Sequence, residues 1–318
     1  MVFSSVIALL LACGLALAYR DRSRALGAEE SPVLVNDYVA AFEIVTSFPH
    51  DADAFTQGLA FDAGGKLYES DGLYRKSAVR SVDVMTGHSE RRVANAANHF
   101  GEGIAIVGNR MLQLTWQEKV VNEFSLPDLQ LRHSHDLPCA KGTDTQPTRC
   151  NEGWGLAYDG KRLYLTDSTD KLFFLNPSTL ESVAPPVQIY DHRMKRPVHG
   201  VNELEWVDGE LWGNVFPMYQ GEASECIVRI NATDASVIGW IDLRGLQAMQ
   251  REAVRRTPHN YVLNGIAYHP SSKRLYVTGK QWDKMYHVRV KAAEHDMQKP
   301  QWVESNCHLG RADGKRFG

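Results

Sequence analysis

Short apolar runs, separated by Gly, Pro, Asn and Asp turns, fill the chain from Tyr38 to Val290, and one arrangement of them occurs five times. Each copy opens on a polar or aromatic residue and passes through Gly-Leu-Ala or a variant. It then turns and closes on a second apolar run. The copies are residues 55–72, 100–116, 152–168, 201–216 and 263–280. Aligning Leu59, Ile104, Leu156, Leu204 and Ile266 brings them into register at spacings of 45 to 62 residues. Turn-bounded runs at such a period predict one four-stranded sheet per copy around a common axis. The expected fold class is all-β, a five-bladed β-propeller.

Two further strand-like runs follow each of the first four copies: 77–85 and 89–94, 120–124 and 129–133, 171–175 and 182–189, 227–230 and 236–241. Thr86-Gly87, Pro127-Asp128, Asn176-Pro177 and Thr233-Asp234 mark the turns between them. After the fifth copy only 285–290 follows. The missing outer strand is expected from residues 38–48, so that an N-terminal strand closes the ring and removes an open edge. Residues 242–256 break the strand pattern. Leu243, Leu246, Met249 and Ala253 fall at helical spacing, with Asp242 as a cap and Pro258 as a stop. One short peripheral helix is expected there. The propeller then spans 36–292, and the polar segment 293–318 reads as a poorly ordered tail in which Trp302 can pack.

The register aligns more than core positions. Two residues before the aligned apolar position stand Gln57, Glu102, Trp154, Asn202 and Asn264. At the end of the second run stand Gly72, Trp116, Ser168, Phe216 and Lys280. Equivalent positions in a ring of repeats share one height on the axis, so two neighbouring rings of side chains are predicted. A frame that repeats while these positions diverge points to a site carried on a scaffold. Each residue also has an ordinary structural meaning. Glu102 alone reads as a solvated loop residue, Trp116 and Trp154 as core, and Asn264 as a partner for strand backbone groups. Glu203 and Glu205, beside Asn202, either support the ring or hold a cation in the channel.

The 318 residues are 43% apolar and 23% charged, enough for an ordinary globular core. A net charge of −3 lacks the basic footprint of a nucleic-acid binder. Twelve histidines show no metal-ligand spacing, and no metal ligands are assigned. Residues 2–19 form an apolar segment ending in Ala16-Leu17-Ala18, the small-x-small pattern of a cleaved leader. No basic residue precedes it, Arg20, Arg22 and Arg24 follow it, and it just reaches spanning length. Residues 1–19 therefore read as a signal peptide or a membrane anchor, and 20–35 as a linker. Cys139 and Cys150 bracket a polar loop and are expected to bridge, which suits an oxidising compartment. Cys226, in an apolar run, reads as a buried thiol. Cys307 lies in the tail, and nothing in the sequence supports a bridge between those two. Asn231-Ala232-Thr233 is a glycosylation sequon, meaningful in a eukaryotic secretory pathway.

The ordered motifs resemble one family, the glutaminyl-peptide cyclotransferases (glutamine cyclotransferases) of plant and bacterial type. The resemblance covers roughly 42–290. It rests on FTQGL at 55–59, FGEG at 100–103, TW at 115–116, GWGLAYDG at 153–160, NELEW at 202–206, LNGIA at 263–267 and LYVTGK-x-W at 275–282. It implies a five-bladed propeller with a pocket at one end of the channel. The implied activity converts N-terminal glutamine of peptides and proteins to pyroglutamate with release of ammonia. Glu102 is implied as general acid/base, with Lys280 and Asn202 beside it. Gln57, Phe100, Trp116, Trp154, Phe216 and Asn264 are implied around the substrate. Members of plant type often carry Trp where Phe216 stands, so the aromatic face is kept and the indole N–H lost. No cofactor is required on this reading, although the channel leaves room for a structural cation. A monomer is expected, acting on peptides in the extracellular space or periplasm, or membrane-anchored if 1–19 is retained. Two readings from other classes remain beside it. A propeller that only binds peptide N-termini would not need Glu102. A channel-metal hydrolase of lactonase type would need several carboxylates converging on one cation.

Overall fold

The structure, a computed structural model, describes residues 37–140, 149–216, 224–269 and 271–307. A long strand β1 (Val39–Pro49) precedes a first sheet of β2 (Thr56–Phe61), β3 (Leu67–Asp71), β4 (Ala78–Val82) and β5 (Ser89–Ala94). The second sheet is β6 (Gly101–Val107), β7 (Arg110–Thr115), β8 (Val120–Ser125) and β9 (Gln130–Asp136). The third is β10 (Leu156–Tyr158), β11 (Leu163–Thr166), β12 (Lys171–Leu175) and β13 (Ser182–Gln188). A small ribbon of β14 (Tyr190–Asp191) and β15 (Arg196–Pro197) follows. The fourth sheet is β16 (Val201–Val207), β17 (Glu210–Val215), β18 (Cys226–Ile230) and β19 (Val237–Asp242). The fifth contains β20 (Leu263–Tyr268), β21 (Leu275–Gly279) and β22 (Lys284–Ala292).

In each sheet the last strand is less buried than the first. Every residue of β2 and β20 is buried, whereas β5 and β9 are almost wholly exposed. The sequences follow: TQGLAF and LNGIAY inside, SERRVA and QLRHSHD outside. The first strands touch one another in cyclic order, β2 to β6, β6 to β10, β10 to β16, β16 to β20 and β20 back to β2. Five antiparallel sheets around such a ring are consistent with a β-propeller. Between neighbouring sheets lie apolar layers. Leu172 and Phe174 of the third, for example, share a cluster with Leu204, Leu211, Val228 and Trp240 of the fourth.

The recurring glycine before the aligned apolar residue lets the first strands approach. A Cβ on Gly58 would lie 2.7 Å from the Ile104 nitrogen, and one on Gly103 2.5 Å from the Trp154 oxygen. One on Gly155 would lie 2.0 Å from the Asn202 oxygen. The fourth copy carries Glu203 in this column. Its carboxylate accepts the Leu59 N–H at 3.3 Å and the Ile266 N–H at 2.9 Å, tying the fourth sheet to the first and fifth. Burial, with the nearby Glu205 charge, holds Glu203 well above the usual carboxylate range.

The N-terminal strand falls one residue from its expected bounds and pairs as expected. β1 runs antiparallel to β22 from Ala40 opposite Ala292 to Pro49 opposite Lys284. It also runs parallel to β19, with Val39 opposite Trp240 and Ala40 opposite Ile241, and so joins the fourth and fifth sheets.

Three expectations are corrected. The helix expected at 242–256 is two short pieces, a 3-10 turn (Gln247–Met249) and α1 (Glu252–Arg256). Gln250 and Arg251 between them are extended, with ψ of 172° and 157°, which ends helical hydrogen bonding. Asp242 receives the Arg244 N–H instead of capping a helix. The tail is not poorly ordered over 293–307. It forms a 3-10 turn (His295–Gln298) and a second helix, α2 (Pro300–Asn306), with proline at its start, so among the described residues there are two short helices and not one. The Arg244 guanidinium lies 4.7 Å over the Trp302 ring. Cys226 is no free thiol: it bridges Cys307 with a Cα separation of 5.4 Å. The expected bridge of Cys139 to Cys150 is present at 5.2 Å. The leader or anchor at 1–19, the linker at 20–35 and residues 308–318 lie outside the described residues.

Opening the Cys226–Cys307 bridge frees a loop of 81 residues. On the chain-entropy account, Cys307→Ser is expected to cost on the order of 4 kcal/mol of unfolding free energy. A guanidinium midpoint unchanged from the parent would contradict this.

Candidate active site

The polar ring is built by backbone irregularity at the start of the first strands. The ladder skips at Thr56/Gly58, Gly101/Ile104, Val201/Leu204 and Leu263/Ile266. Gln57, Glu102, Asn202 and Asn264 sit inside those skips. A bulge of this kind re-aims a side chain that regular pleating would direct elsewhere. Trp154 stands two residues before β10. All five side chains are buried.

A second device sets the mixed ring beside the first. The residue just past each second strand donates its N–H to the carbonyl two residues before the polar-ring position. Gly72 donates to Phe55, Trp116 to Phe100, Phe216 to Gly200 and Lys280 to Val262, at 2.7 to 3.0 Å. The same bond in four sheets brings the two rings to adjacent levels.

Aromatic side chains form an arc around Lys280. Its ammonium lies 5.0 Å from the Phe55 ring centre and 4.8 Å from that of Phe216. Phe216 meets Trp154 edge-on at 6.0 Å. Phe55 meets Phe100 at 6.2 Å, and Phe100 meets Trp116 at 5.6 Å. Gly72 makes room for this. A Cβ there would lie 2.5 Å from Phe100 Cε1 and 3.0 Å from Gln57 Cγ. Asn264 Nδ2 donates to Gln57 Oε1 at 3.1 Å and to the Thr56 carbonyl at 2.9 Å, which fixes both amides.

Glu102 and Lys280 are both buried and act on each other electrostatically. Burial holds the Glu102 carboxyl well above the usual range; the Lys280 charge draws it back, and Glu152 and Glu118 push it further up. Burial pushes Lys280 down to about 8, against the pull of Glu102. Among the described residues, Glu102 Oε2, Asn202 Oδ1 and Asn264 Oδ1 are buried oxygens without a hydrogen-bond partner. Buried polar atoms are nearly always paired, so three in one ring call for an explanation. The arrangement can bind a small group rich in N–H donors, hold it against aromatic faces and exchange a proton with it.

The structure thus brings together Gln57, Phe100, Glu102, Trp116, Trp154, Phe216, Asn264 and Lys280, with Asn202 buried in the same ring. Glu203 and Glu205 instead serve backbone N–H groups, Glu205 accepting that of Tyr268 at 2.7 Å. Among the described residues no group of three or more His, Cys, Asp or Glu side chains is placed to hold a metal ion. Phe55 was not anticipated. Its signal lay in a third column of the repeat alignment, where it stands two residues before Gln57 as Phe100 does before Glu102. Tyr74 and Glu118, at the edge of the arc, lie in loops outside the repeat and carry no such signal.

Comparison with known proteins agrees with this architecture. A family model described as glutamine cyclotransferase matches residues 15–290. The glutaminyl-peptide cyclotransferase of Arabidopsis thaliana is 36% identical over 267 residues, covering 83% of this chain and 75% of that protein. The crystal structure of Myxococcus xanthus glutaminyl cyclase superposes with a TM-score of 0.68 at 29% identity, covering 81% of this chain and all of that one.

Proposed function

The chain belongs to the glutamine cyclotransferase family, and from that premise we propose that it cyclises the N-terminal glutamine of peptides and proteins to pyroglutamate, releasing ammonia, on a five-bladed β-propeller closed by its N-terminal strand. The observation that carries this reading to particular residues is the trio of unpartnered oxygens on Glu102, Asn202 and Asn264. A glutaminyl N-terminus presents N–H groups on two nitrogens, the α-amine and the side-chain amide. Three unpaired acceptors complement such a group.

The neutral α-amine attacks the side-chain amide carbon and forms the ring C–N bond. Negative charge develops on the amide oxygen, where the Lys280 ammonium and the Asn202 and Gln57 amides supply donors. Glu102, whose protonated form burial favours, gives its proton to the departing nitrogen. The carboxylate so formed takes the proton shed by the ring nitrogen. Ammonia leaves and Glu102 returns to its starting state, so atoms and charges balance. Phe100, Trp116, Trp154 and Phe216 hold the chain folded toward a five-membered geometry and keep water from the amide.

Ammonia release from a Gln-initiated dipeptide, with and without chelator, tests the reading. Release in both arms is expected; none in either removes the activity, and loss under chelator moves the chemistry to a metal. Gly72→Ala is a second test. The added methyl displaces Phe100 or Gln57, and overpacking of this kind costs roughly 1–3 kcal/mol. KM is expected to rise by about tenfold; an unchanged KM would show that Phe100 is not part of the binding wall.

The two disulfides favour an oxidising compartment, and among the described residues no helix is long and apolar enough to cross a membrane. On the disulfides the enzyme is assigned to the secretory route, with 1–19 as a cleaved leader or a retained anchor. N-terminal sequencing of the mature chain tests that assignment.

A further inference from the structure

Tyr74 differs from the rest of the arc. Among the described residues it is the one Phe, Tyr or Trp in the exposed class, with 43% of its surface accessible. It follows Gly72 out of the second strand of the first sheet, at the level of the mixed ring. Both neighbours have positive φ, Leu73 at 80° and Arg75 at 66°. Such backbone is unfavourable for residues other than glycine and persists only where the surroundings hold it. Here they do. The Leu73 carbonyl accepts the Lys76 and Ser77 N–H groups and the Ser77 hydroxyl, and Arg75 donates to the Ala97 carbonyl.

The held turn presents the ring in one orientation. Tyr74 packs edge-on against Phe100 at 5.5 Å, and its hydroxyl donates to Glu118 Oε1 at 2.8 Å. The other Glu118 oxygen accepts the Phe100 N–H at 3.1 Å. One carboxylate therefore fixes both an outer ring and a wall of the site. The chemistry above does not use Tyr74, and Glu118 enters it only through its charge acting on Glu102. From Lys280 the series runs to Phe55, Phe100 and then Tyr74, in steps of 5.0, 6.2 and 5.5 Å. Successive residues of a peptide lie about 3.8 Å apart at Cα. With the glutaminyl group against the inner rings, the next side chain falls within reach of Tyr74.

The charges at this edge are negative. Glu118 and Glu152 both act on Glu102, and those acting on the Tyr74 hydroxyl are Glu118 and Glu102. Arg75 and Lys76 beside it are exposed, where solvent and salt screen their charges. We propose that Tyr74 and Glu118 form a subsite for the second residue of the substrate, selecting a basic side chain over an acidic one. The proposal rests on the cyclotransferase reading. A guanidinium can stack on the phenol face while facing a carboxylate; an acidic side chain meets only like charge.

The test compares ammonia release from Gln-Arg, Gln-Glu and glutaminamide, which has no second residue, at low salt. kcat/KM for Gln-Arg is expected to exceed that for Gln-Glu by about tenfold, mainly through KM, and the gap to narrow as salt is added. In Tyr74→Ala and in Glu118→Gln the ratio is expected to fall to within about twofold of unity. Glu118→Gln retains an acceptor for the Phe100 N–H, so the wall stays in place. Equal kcat/KM for the two peptides in the parent enzyme, or a ratio that survives both substitutions, overturns the subsite while glutaminamide turnover leaves the reaction standing. No turnover of any of the three overturns the reaction and the subsite together.

Discussion

Glu102→Gln is expected to lower kcat for ammonia release by at least about 10²-fold, the usual scale of general acid–base catalysis, with KM little changed. The substitution keeps the shape of the side chain and most of its hydrogen bonding. It removes the proton that the leaving nitrogen needs and the base that the ring nitrogen then needs. The effect should be large because the group is buried and its second oxygen has no other partner to replace it. Trp116→Ala makes the contrast. It takes away a face of the arc, so binding and positioning fall together, with KM up and kcat down. Steady-state kinetics on a Gln-initiated dipeptide separates the two patterns. Near-parental kcat in Glu102→Gln would leave the fold untouched and the proton transfer without its residue.

The pH profile should be a narrow bell. The substrate amine attacks only when neutral, and its free pKa is near 7.7–8, so the acid limb rises toward that value. Lys280 sits in the opposite sense. Burial has lowered it to about 8, so it is charged below that pH and loses its charge above it. A neutral amine cannot stabilise the developing oxyanion, so kcat/KM should fall as pH passes 8. Lys280→Arg keeps its charge across the whole range and should abolish the alkaline limb, at a lower ceiling because the guanidinium is larger. Lys280→Met should mainly lower kcat below pH 8, and the gap to the parent should close at higher pH, where the parent's Lys280 is itself neutral. An alkaline limb that stays in place in Lys280→Arg would assign that titration to another group.

What was legible in the sequence follows from what the ring repeats. Gly58, Gly103 and Gly155 recur because the first strands approach too closely for a Cβ, Gly265 because its φ is 125°, and the polar residues Gln57, Glu102 and Asn264 recur in the same bulge. A column set by geometry can be aligned without any structure. The closing strand was legible by subtraction, since the fifth copy lacked its last run. The tail was not. Helix α2 has seven residues, too short to be stable alone, and it is held by the Cys226–Cys307 bridge and by Arg244 over Trp302. Those are tertiary causes with no local pattern. Glu203 shows the same limit inside the repeat. It stands in a glycine column, and no spacing rule says that its carboxylate will take N–H groups from two other sheets. Tyr74 and Glu118 escaped because loop tips have no counterpart in the other copies.

The double pairing of β1 also sets a timetable. This strand leaves the ribosome well before either partner, since it binds residues near 240 on one edge and near 290 on the other. At about 5–20 residues per second it waits tens of seconds for them. The first four sheets can meanwhile form from neighbouring hairpins, each a local event. Closure is the long-range step, and topologies dominated by such contacts fold slowly. Through the interval β1 shows both edges to other chains, a risk tempered by Glu43, Thr46 and Ser47 among its exposed or half-exposed positions. A nascent chain halted before β22 would hold its first strand open on that side, as a template for the wrong partner.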